Sequence, residues 1–329
     1  MNSPSEEIVI KKKHHYVWAY YLKQWARGKN VWYVSSKGGN IRSDSILGLS
    51  QSMHFYKVSA LNNDDVEFIE RFPTTDSEIV QKFHASQLEF FKKISLLINV
   101  PSRFEGTEYE AELKKISEWA ASNSLEDTYT AIELKARPIF DELLKGDASC
   151  LEQRSNMVAF YNYVAHQLAR TKKVKDQTFS RMNKANQDNE LWVESAKLFE
   201  KNWWLIAYKV GINFGHGLVQ SAGTSKYMLI NNTTKIDFIT SDHPVINVHK
   251  CVQDPAPEST IDKLDLYYPI SPKIAFMLND SQNYKGLDKF ISEDDVISLN
   301  LLMARGSHKN IYGSSEQALK DVRKSYRNL

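Results

Sequence analysis

Four stretches of this 329-residue chain carry side chains that can move protons, hold an anion or ligate a metal. The first is His14-His15-Tyr16-Val17. Adjacent imidazoles point about 100° apart on a helix and to opposite faces of a strand, so the two do not readily share one ion. His14 falls on the spacing of Trp18, Tyr21 and Trp25, which turns it toward the core; a structural histidine is the alternative reading for either ring. The second is His166-Gln167-Leu168-Ala169-Arg170-Thr171, in which Gln167 and Arg170 are three apart and share a helix face. A guanidinium beside an amide presents donors in fixed planes, as an oxyanion or phosphate clamp requires. Its plainer reading is a polar helix edge with Arg170 paired to a carboxylate. The third is Phe238-Ile239-Thr240-Ser241-Asp242-His243-Pro244-Val245. Pro244 keeps His243 out of the helical region, so a carboxylate stands at a strand end before a rigid turn. That placement suits a metal ligand or general base, and equally an ordinary Asx turn. The fourth is the stripe Glu126, Thr130, Glu133, Arg137. Carboxylates seven apart can share a metal, but Glu133 four residues before Arg137 reads as a surface ion pair, and that reading is preferred.

Composition narrows the classes. Lys and Arg number 42 and Asp and Glu 40, a net charge of +2, which excludes the basic field of a protein that coats duplex DNA. With 42% hydrophobic residues, 9 Pro and 13 Gly, the chain is expected to be globular with a sizeable core. Two cysteines, Cys150 and Cys251, make neither a disulfide framework nor a four-thiolate metal site. Met1 to Lys13 does not read as a signal peptide, and the longest apolar run, Trp203 to Val219, is broken by Lys209, Asn213 and His216. The expectation is a soluble, cytoplasmic protein without a membrane partner. There is no Walker loop, dinucleotide fingerprint, His-Glu-x-x-His, Gly-x-Ser-x-Gly or kinase motif set.

The elements that must position these residues can be read from periodicity. Trp18, Tyr21 and Trp25 suit a short amphipathic helix, and Val31-Trp32-Tyr33-Val34 begins a group of short strands. From about Asp64 to Ser221 the period is helical. Phe83, Leu88, Phe91, Ile94 and Leu97 predict one helix; Ser124 with Asp127 predicts the capped start of another, running to Lys145 and stopped by Gly146, with Pro138 kinking or cutting it. Met157, Tyr161, Val164 and Leu168 form a buried stripe. A further helix is expected from about Gln177 to Tyr208, with Gly211, Gly215 and Gly217 marking a looser stretch behind it. Strands return at Tyr227–Ile230, Ile236–Thr240, Val245–Val248, Leu266–Ile270 and Ile274–Leu278, with Gln253 to Thr260 as the flexible loop. Pro269 and Pro272 demote the piece between them to an edge strand or bend. A helix from Glu293 to Ala304, a strand at Asn310–Tyr312 and a basic helix close the chain. Strands at both ends with helices between predict an α+β fold: an antiparallel or mixed sheet from N- and C-terminal strands, with a large helical insertion. The chain is read as one domain over 1–329, divided into N-terminal strands (1–60), the insertion (61–222) and C-terminal strands and helices (223–329).

In order and content these motifs resemble a mostly bacterial family known as domain of unknown function 4238. Its members open with His-His-Tyr-Val-Pro and Tyr-Leu, then carry Gln-x-x-Arg-Thr, Phe-Ile-Thr-Ser-Asp-x-Pro-Val and Pro-Leu-Ser-Pro. The matches are His14 to Val17 with Tyr21-Leu22, Gln167 with Arg170-Thr171, Phe238 to Val245, and Pro269 to Pro272. They span about His14 to Tyr312, and Trp18 stands where the family has proline. The family name implies no activity, but the resemblance implies that these segments meet in one cleft. His, Gln, Arg, Ser and Asp together suit phosphate chemistry better than acyl transfer, because there is a clamp and a carboxylate but no evident activated nucleophile.

The expectation is therefore a metal-dependent phosphodiester hydrolase, nuclease-like and of use in defence against phage. Asp242, His15 and Arg170 would be catalytic. Gln167, Ser241, Arg170, Lys172 and Lys173 would bind substrate, and His14, His15 and Asp242 would ligate a divalent metal. Two alternatives stand beside it. One is a non-catalytic module binding nucleic acid or a nucleotide, with the basic run Arg170 to Lys184 for charge and Trp203-Trp204 for stacking. The other is a structural role for the motifs, with Arg170 and Asp242 as a buried pair.

Overall fold

Aromatic and β-branched runs at both ends form short strands, and the helical period between them forms helices, in the computed structural model of the protein, which describes residues 8–184, 189–222, 226–250 and 263–327. In chain order the elements are β1 (Lys13–His15), α1 (Ala19–Leu22), β2 (Asn30–Ser35), β3 (Arg42–Ser45) and β4 (Gln51–Met53). The helical region holds α2 (Asn63–Arg71), α3 (Glu78–Asn99), α4 (Glu110–Leu144), α5 (Arg154–Ala169), α6 (Lys172–Lys184), α7 (Glu190–Lys201) and α8 (Trp203–Ser221). There follow β5 (Lys226–Asn231), β6 (Thr240–Ser241), β7 (Ile246–Asn247), β8 (Leu266–Pro269), β9 (Ile274–Asn279), α9 (Glu293–Gly306), β10 (Asn310–Gly313) and α10 (Glu316–Arg327). The fold is α+β with a central helical region.

N- and C-terminal strands do pair. One antiparallel sheet runs β3-β2-β10-β6, with Ile311 opposite Val34 on one side and Ser241 on the other. The remaining strands lie apart from it: β5-β9-β8-β7 forms a second antiparallel sheet and β1-β4 a small third one. A single apolar cluster takes Val17, Tyr21 and Trp25 from the start, Phe91, Tyr129, Phe140 and Phe160 from the helices, and Tyr268, Phe276 and Tyr312 from the end. Tyr21 ties these parts: its hydroxyl reaches Thr240 Oγ1 at 2.5 Å and donates to the Pro269 carbonyl at 2.7 Å.

Several local expectations change. Helix α4 begins at Glu110 and passes straight through Ser124, whose hydroxyl donates back to the Ala120 carbonyl at 2.5 Å instead of capping. It also continues through Pro138, where both Pro138 and Leu134 are exposed, so the carbonyl deprived of its helical bond faces water. It ends before Gly146, at φ +85°. The helix expected over Gln177–Tyr208 is three helices. Asn189 caps α7 by accepting from Trp192 N–H, and buried Asn202 turns the chain into α8 while donating to Asp65 Oδ1 at 2.8 Å. Gly211 and Gly215 do not loosen the chain but lie within α8, where it crosses α5: a Cβ on Gly211 would sit 2.2 Å from His166 Nδ1. Of Ile236–Thr240 only Thr240 enters a ladder, because Phe238 N–H is taken by the Pro272 carbonyl and Ile239 N–H by Asn300 Oδ1. Pro269 ends β8, an interior strand, and the piece up to Pro272 is the turn into β9. The Gln253–Thr260 loop lies outside the described residues. Among the described residues, no helix is long and apolar enough to cross a membrane.

Candidate active site

Positions 126, 129, 130 and 133 fall on one face of α4, and that face meets the end of α5 and the strand β1. A cleft of about 180 Å³ opens there, lined by Glu126, Tyr129, Thr130 and Glu133 from α4, His15 from β1, Trp18 from the turn after it, Ala19 from the start of α1, and Arg170 from the end of α5. Four polar atoms in this lining are buried and without a protein partner: His15 Nε2, Glu126 Oε2, Tyr129 Oη and Arg170 Nε. Such groups are ordinarily paired, with protein or with an ordered water.

Each of them is held by its other contacts. Arg170 is almost wholly buried; it donates to the Glu133 carboxylate and to Gln167 Oε1, and its guanidinium lies 4.9 Å from the centre of the Tyr129 ring. Burial works against its charge, but the groups around it, the Glu133 carboxylate first among them, together hold the guanidinium protonated. Burial pushes the Glu133 carboxyl up, with Arg170 pulling the other way. Glu126 accepts from the His15 backbone N–H; burial, opposed by Arg170 and assisted by Glu133, pushes its carboxyl up to about 7. Burial lowers the His15 imidazole below its ordinary value, against a bond from the ring to the Leu47 carbonyl, with Arg170 and Lys13 lowering it further. Its Nε2 is buried and without a protein partner. Burial also raises Tyr129, whose phenol stays a donor. The residues lining this one small space thus include a neutral imidazole, a carboxyl that titrates near neutrality and two donors.

Gln167 lies behind the cleft as a stitch. Its Nε2 donates to the Tyr16 carbonyl at 2.9 Å and its Oε1 accepts from the Trp18 backbone N–H at 3.3 Å, which fixes β1 and its turn against α5. A proline at position 18 could not donate that bond, although the local φ of −57° would admit one.

The other residues singled out in the sequence are placed elsewhere. His14 is fully buried with both ring nitrogens in use: Nδ1 accepts from Tyr56 N–H at 2.8 Å and Nε2 donates to the Lys11 carbonyl at 2.9 Å. Asp242 is buried beyond β6 and accepts from the backbone N–H groups of His308, Lys309 and Asn310 at 2.9, 2.8 and 3.1 Å. It supports the entry to β10 and does not line the cleft. Ser241 bonds the backbone of His243, and Thr171 bonds the His243 ring at 2.8 Å. Lys173 donates to the Gly306 carbonyl at the end of α9, and Lys172 does not line the cleft. The expected pair of Arg170 with Asp242 is replaced by Arg170 with Glu133, and Arg137, the surface partner assigned to Glu133, instead lies 4.5 Å over the Tyr20 ring. Trp203 and Trp204 are buried, so neither is a stacking platform.

A divalent ion on His14, His15 and Asp242 does not fit this arrangement, because every candidate donor atom of His14 and Asp242 is already bonded to the main chain. Among the described residues, no three His, Cys, Asp or Glu side chains gather into a group able to hold a metal. A larger hollow of about 280 Å³ between α9 and α10 is lined by Ile236, Ile297, Asn300, Leu301 and Val322 with Asp321 and Lys324, and none of these carries a buried polar atom in want of a partner.

In the sequence, His15, Gln167 and Arg170 were visible as chemistry-bearing residues. Glu126, Tyr129 and Glu133 were not assigned to a site. The available signal was the i, i+3, i+4, i+7 spacing of 126, 129, 130 and 133, and Arg137 one turn beyond Glu133 masked it. Against known proteins, a family model described as "Protein of unknown function (DUF4238)" matches residues 13–317. No curated protein and no solved structure matches the chain.

Proposed function

The chain belongs to the DUF4238 family, and for this member we propose a phosphodiester hydrolase that works by acid–base catalysis in the cleft between β1 and α4, on a nucleic acid or nucleotide. The observation that carries this reading is that four residues lining one cleft, His15, Glu126, Tyr129 and Arg170, each carry a buried polar atom without a protein partner. His15 Nε2 takes the proton of the attacking hydroxyl, and the Glu126 carboxyl gives one to the departing oxygen. Arg170 Nε and Tyr129 Oη donate to the phosphoryl oxygens as negative charge grows there. Glu133 and Gln167 do not touch substrate; they hold the guanidinium in plane and keep it charged. No step is assigned to a metal ion.

The test is an assay of the purified chain on single- and double-stranded DNA, RNA and dinucleotides, in EDTA and then with Mg²⁺, Mn²⁺ or Zn²⁺. Turnover is expected in EDTA. His15→Ala and Glu126→Gln are each expected to lower it by about 10²- to 10⁴-fold with the melting transition retained. Substrates left intact under every condition, or variants as active as the parent, would remove the reading.

A further inference from the structure

We infer that the scissile linkage is that of RNA, with the neighbouring 2′-hydroxyl as nucleophile and a 2′,3′-cyclic phosphate as the first product. This rests on the acid–base reading of the same cleft and names its substrate.

The lining offers no nucleophile of its own. It contains no serine or cysteine, and its one aliphatic hydroxyl, that of Thr130, donates to the Glu126 backbone carbonyl at 2.9 Å within α4. Tyr129 keeps its proton, and Glu133 is committed to Arg170. With His15 taken as the base and Glu126 as the acid, no side chain of the lining is left to attack phosphorus, and the nucleophile arrives with the substrate or is water. A neutral imidazole of lowered basicity is a poor activator of water against a DNA diester. A 2′-hydroxyl needs far less, because it is held next to the phosphorus by the sugar itself; such intramolecular placement is worth effective molarities of about 10⁵ M and above.

The volume agrees. Pockets that enclose a whole drug-sized ligand run to about 300 Å³ and more, whereas this cleft offers about 180 Å³. That admits a phosphate with the vicinal oxygens of its ribose and leaves the bases outside. Cleavage should accordingly tolerate many sequences.

The proton and bond changes balance without another reactant. His15 Nε2 removes the 2′-hydroxyl proton, the O2′–P bond forms, the P–O5′ bond breaks, and the Glu126 carboxyl proton passes to O5′. The products are a 2′,3′-cyclic phosphate and a free 5′-hydroxyl, leaving imidazolium and carboxylate in the cleft. Water then reverses the roles: Glu126 takes a proton from water as its oxygen bonds to phosphorus, the P–O2′ bond breaks, and His15 returns a proton to O2′. A 3′-phosphate results and both groups are reset.

The experiment uses the full chain in EDTA with three oligonucleotides of one sequence: RNA, DNA, and RNA methylated at every 2′-oxygen. Products are read by mass spectrometry. The expected result is cleavage of the RNA alone, to cyclic phosphate or 3′-phosphate and 5′-hydroxyl ends. Glu126→Gln and His15→Ala are expected to lower the rate 10²-fold or more while circular dichroism shows the parent fold. RNA left intact overturns the inference, as does cleavage of the DNA or methylated strand at a similar rate, or 5′-phosphate ends. In the latter two cases the phosphodiesterase reading survives. Failure to cut any of the three, with or without divalent metals, sinks both together.

Discussion

Glu126 accepts from the His15 backbone N–H, and Glu126 Oε2 and His15 Nε2, on two residues that line the cleft, are buried without a protein partner. The opposite displacements of the two groups determine when both are in working form. Burial lowers His15, which faces Arg170 and Lys13; burial raises Glu126 to about 7, with Arg170, Glu133 and Lys11 around it. A base must have lost its proton and an acid must have kept it. The rate should therefore climb as pH rises through the His15 value, somewhere below 6.5, and fall as pH passes about 7. Measured as kcat/KM on RNA between pH 4.5 and 9, the profile should be a narrow bell on the acid side of neutrality, and the alkaline limb should vanish from the residual activity of Glu126→Gln. A plateau reaching past pH 8 in the parent would assign the acid to another group. Half of this pair was legible beforehand, because a His-His dipeptide announces itself. Glu126 was visible only as one of two carboxylates seven apart, because its raised carboxyl comes from burial, against the pull of Arg170 44 positions away, and a local pattern contains neither.

At the scale of elements, the cleft depends on how closely α4, α5 and β1 are held, and α8 braces α5 from behind. His166 stacks on Tyr208 at 4.9 Å and meets Tyr129 edge-on at 5.7 Å, so the ring that supports the cleft-lining tyrosine is itself wedged under Gly211. A methyl group on Gly211 has nowhere to go, because the imidazole cannot retreat between two tyrosines. Gly211→Ala should cost about 2 kcal/mol or more from overpacking, despite the roughly 1 kcal/mol that alanine contributes in a helix. In a His166→Ala background the same change should be neutral or stabilising, and urea denaturation of the four proteins measures the coupling. An equal cost in both backgrounds would show that the rings do not set the helix spacing. Here the sequence misled in an instructive way. Glycines 211, 215 and 217 read as loosening because glycine disfavours a helix, whereas at least two of them are what lets two helices approach. Strand positions were legible from β-branched and aromatic runs, and so was the pairing of early with late strands. The division into three sheets was not, because it is decided by which N–H groups Asn300 and Pro272 capture at Phe238 and Ile239.

Across the whole molecule, buried ionisable groups set how the fold responds to acid, and they pull in opposite directions. His166 and His243, in separate parts of the core, are pushed down to about 3, chiefly by burial. Each is neutral when folded but takes a proton below about 6.5 once unfolded, so each removes about 1.4 kcal/mol of stability per pH unit as pH falls from there. Glu126 does the reverse. Its folded value of about 7 lies above the unfolded one, so the stability it lends is fully present below about 4.5 and is lost as pH rises through 7. Between about pH 6 and 5 the parent therefore has the Glu126 contribution opposing the histidines. His14, His15, His84, Glu133 and Asp242 also shift, so the absolute slope is a sum over many groups. The difference between parent and Glu126→Gln isolates one of them. That variant should be more stable than the parent at pH 8, where the parent keeps a charged carboxylate in a half-buried site, and should lose stability with falling pH more steeply by about 1.4 kcal/mol per unit. Urea midpoints at half-unit steps from pH 8 to 5 measure both. Parallel curves would mean that Glu126 titrates as an ordinary surface carboxyl, and the acid assigned to the cleft would have to be sought elsewhere. Diverging curves would tie the stability of the entire fold to the one residue whose proton the proposed chemistry spends.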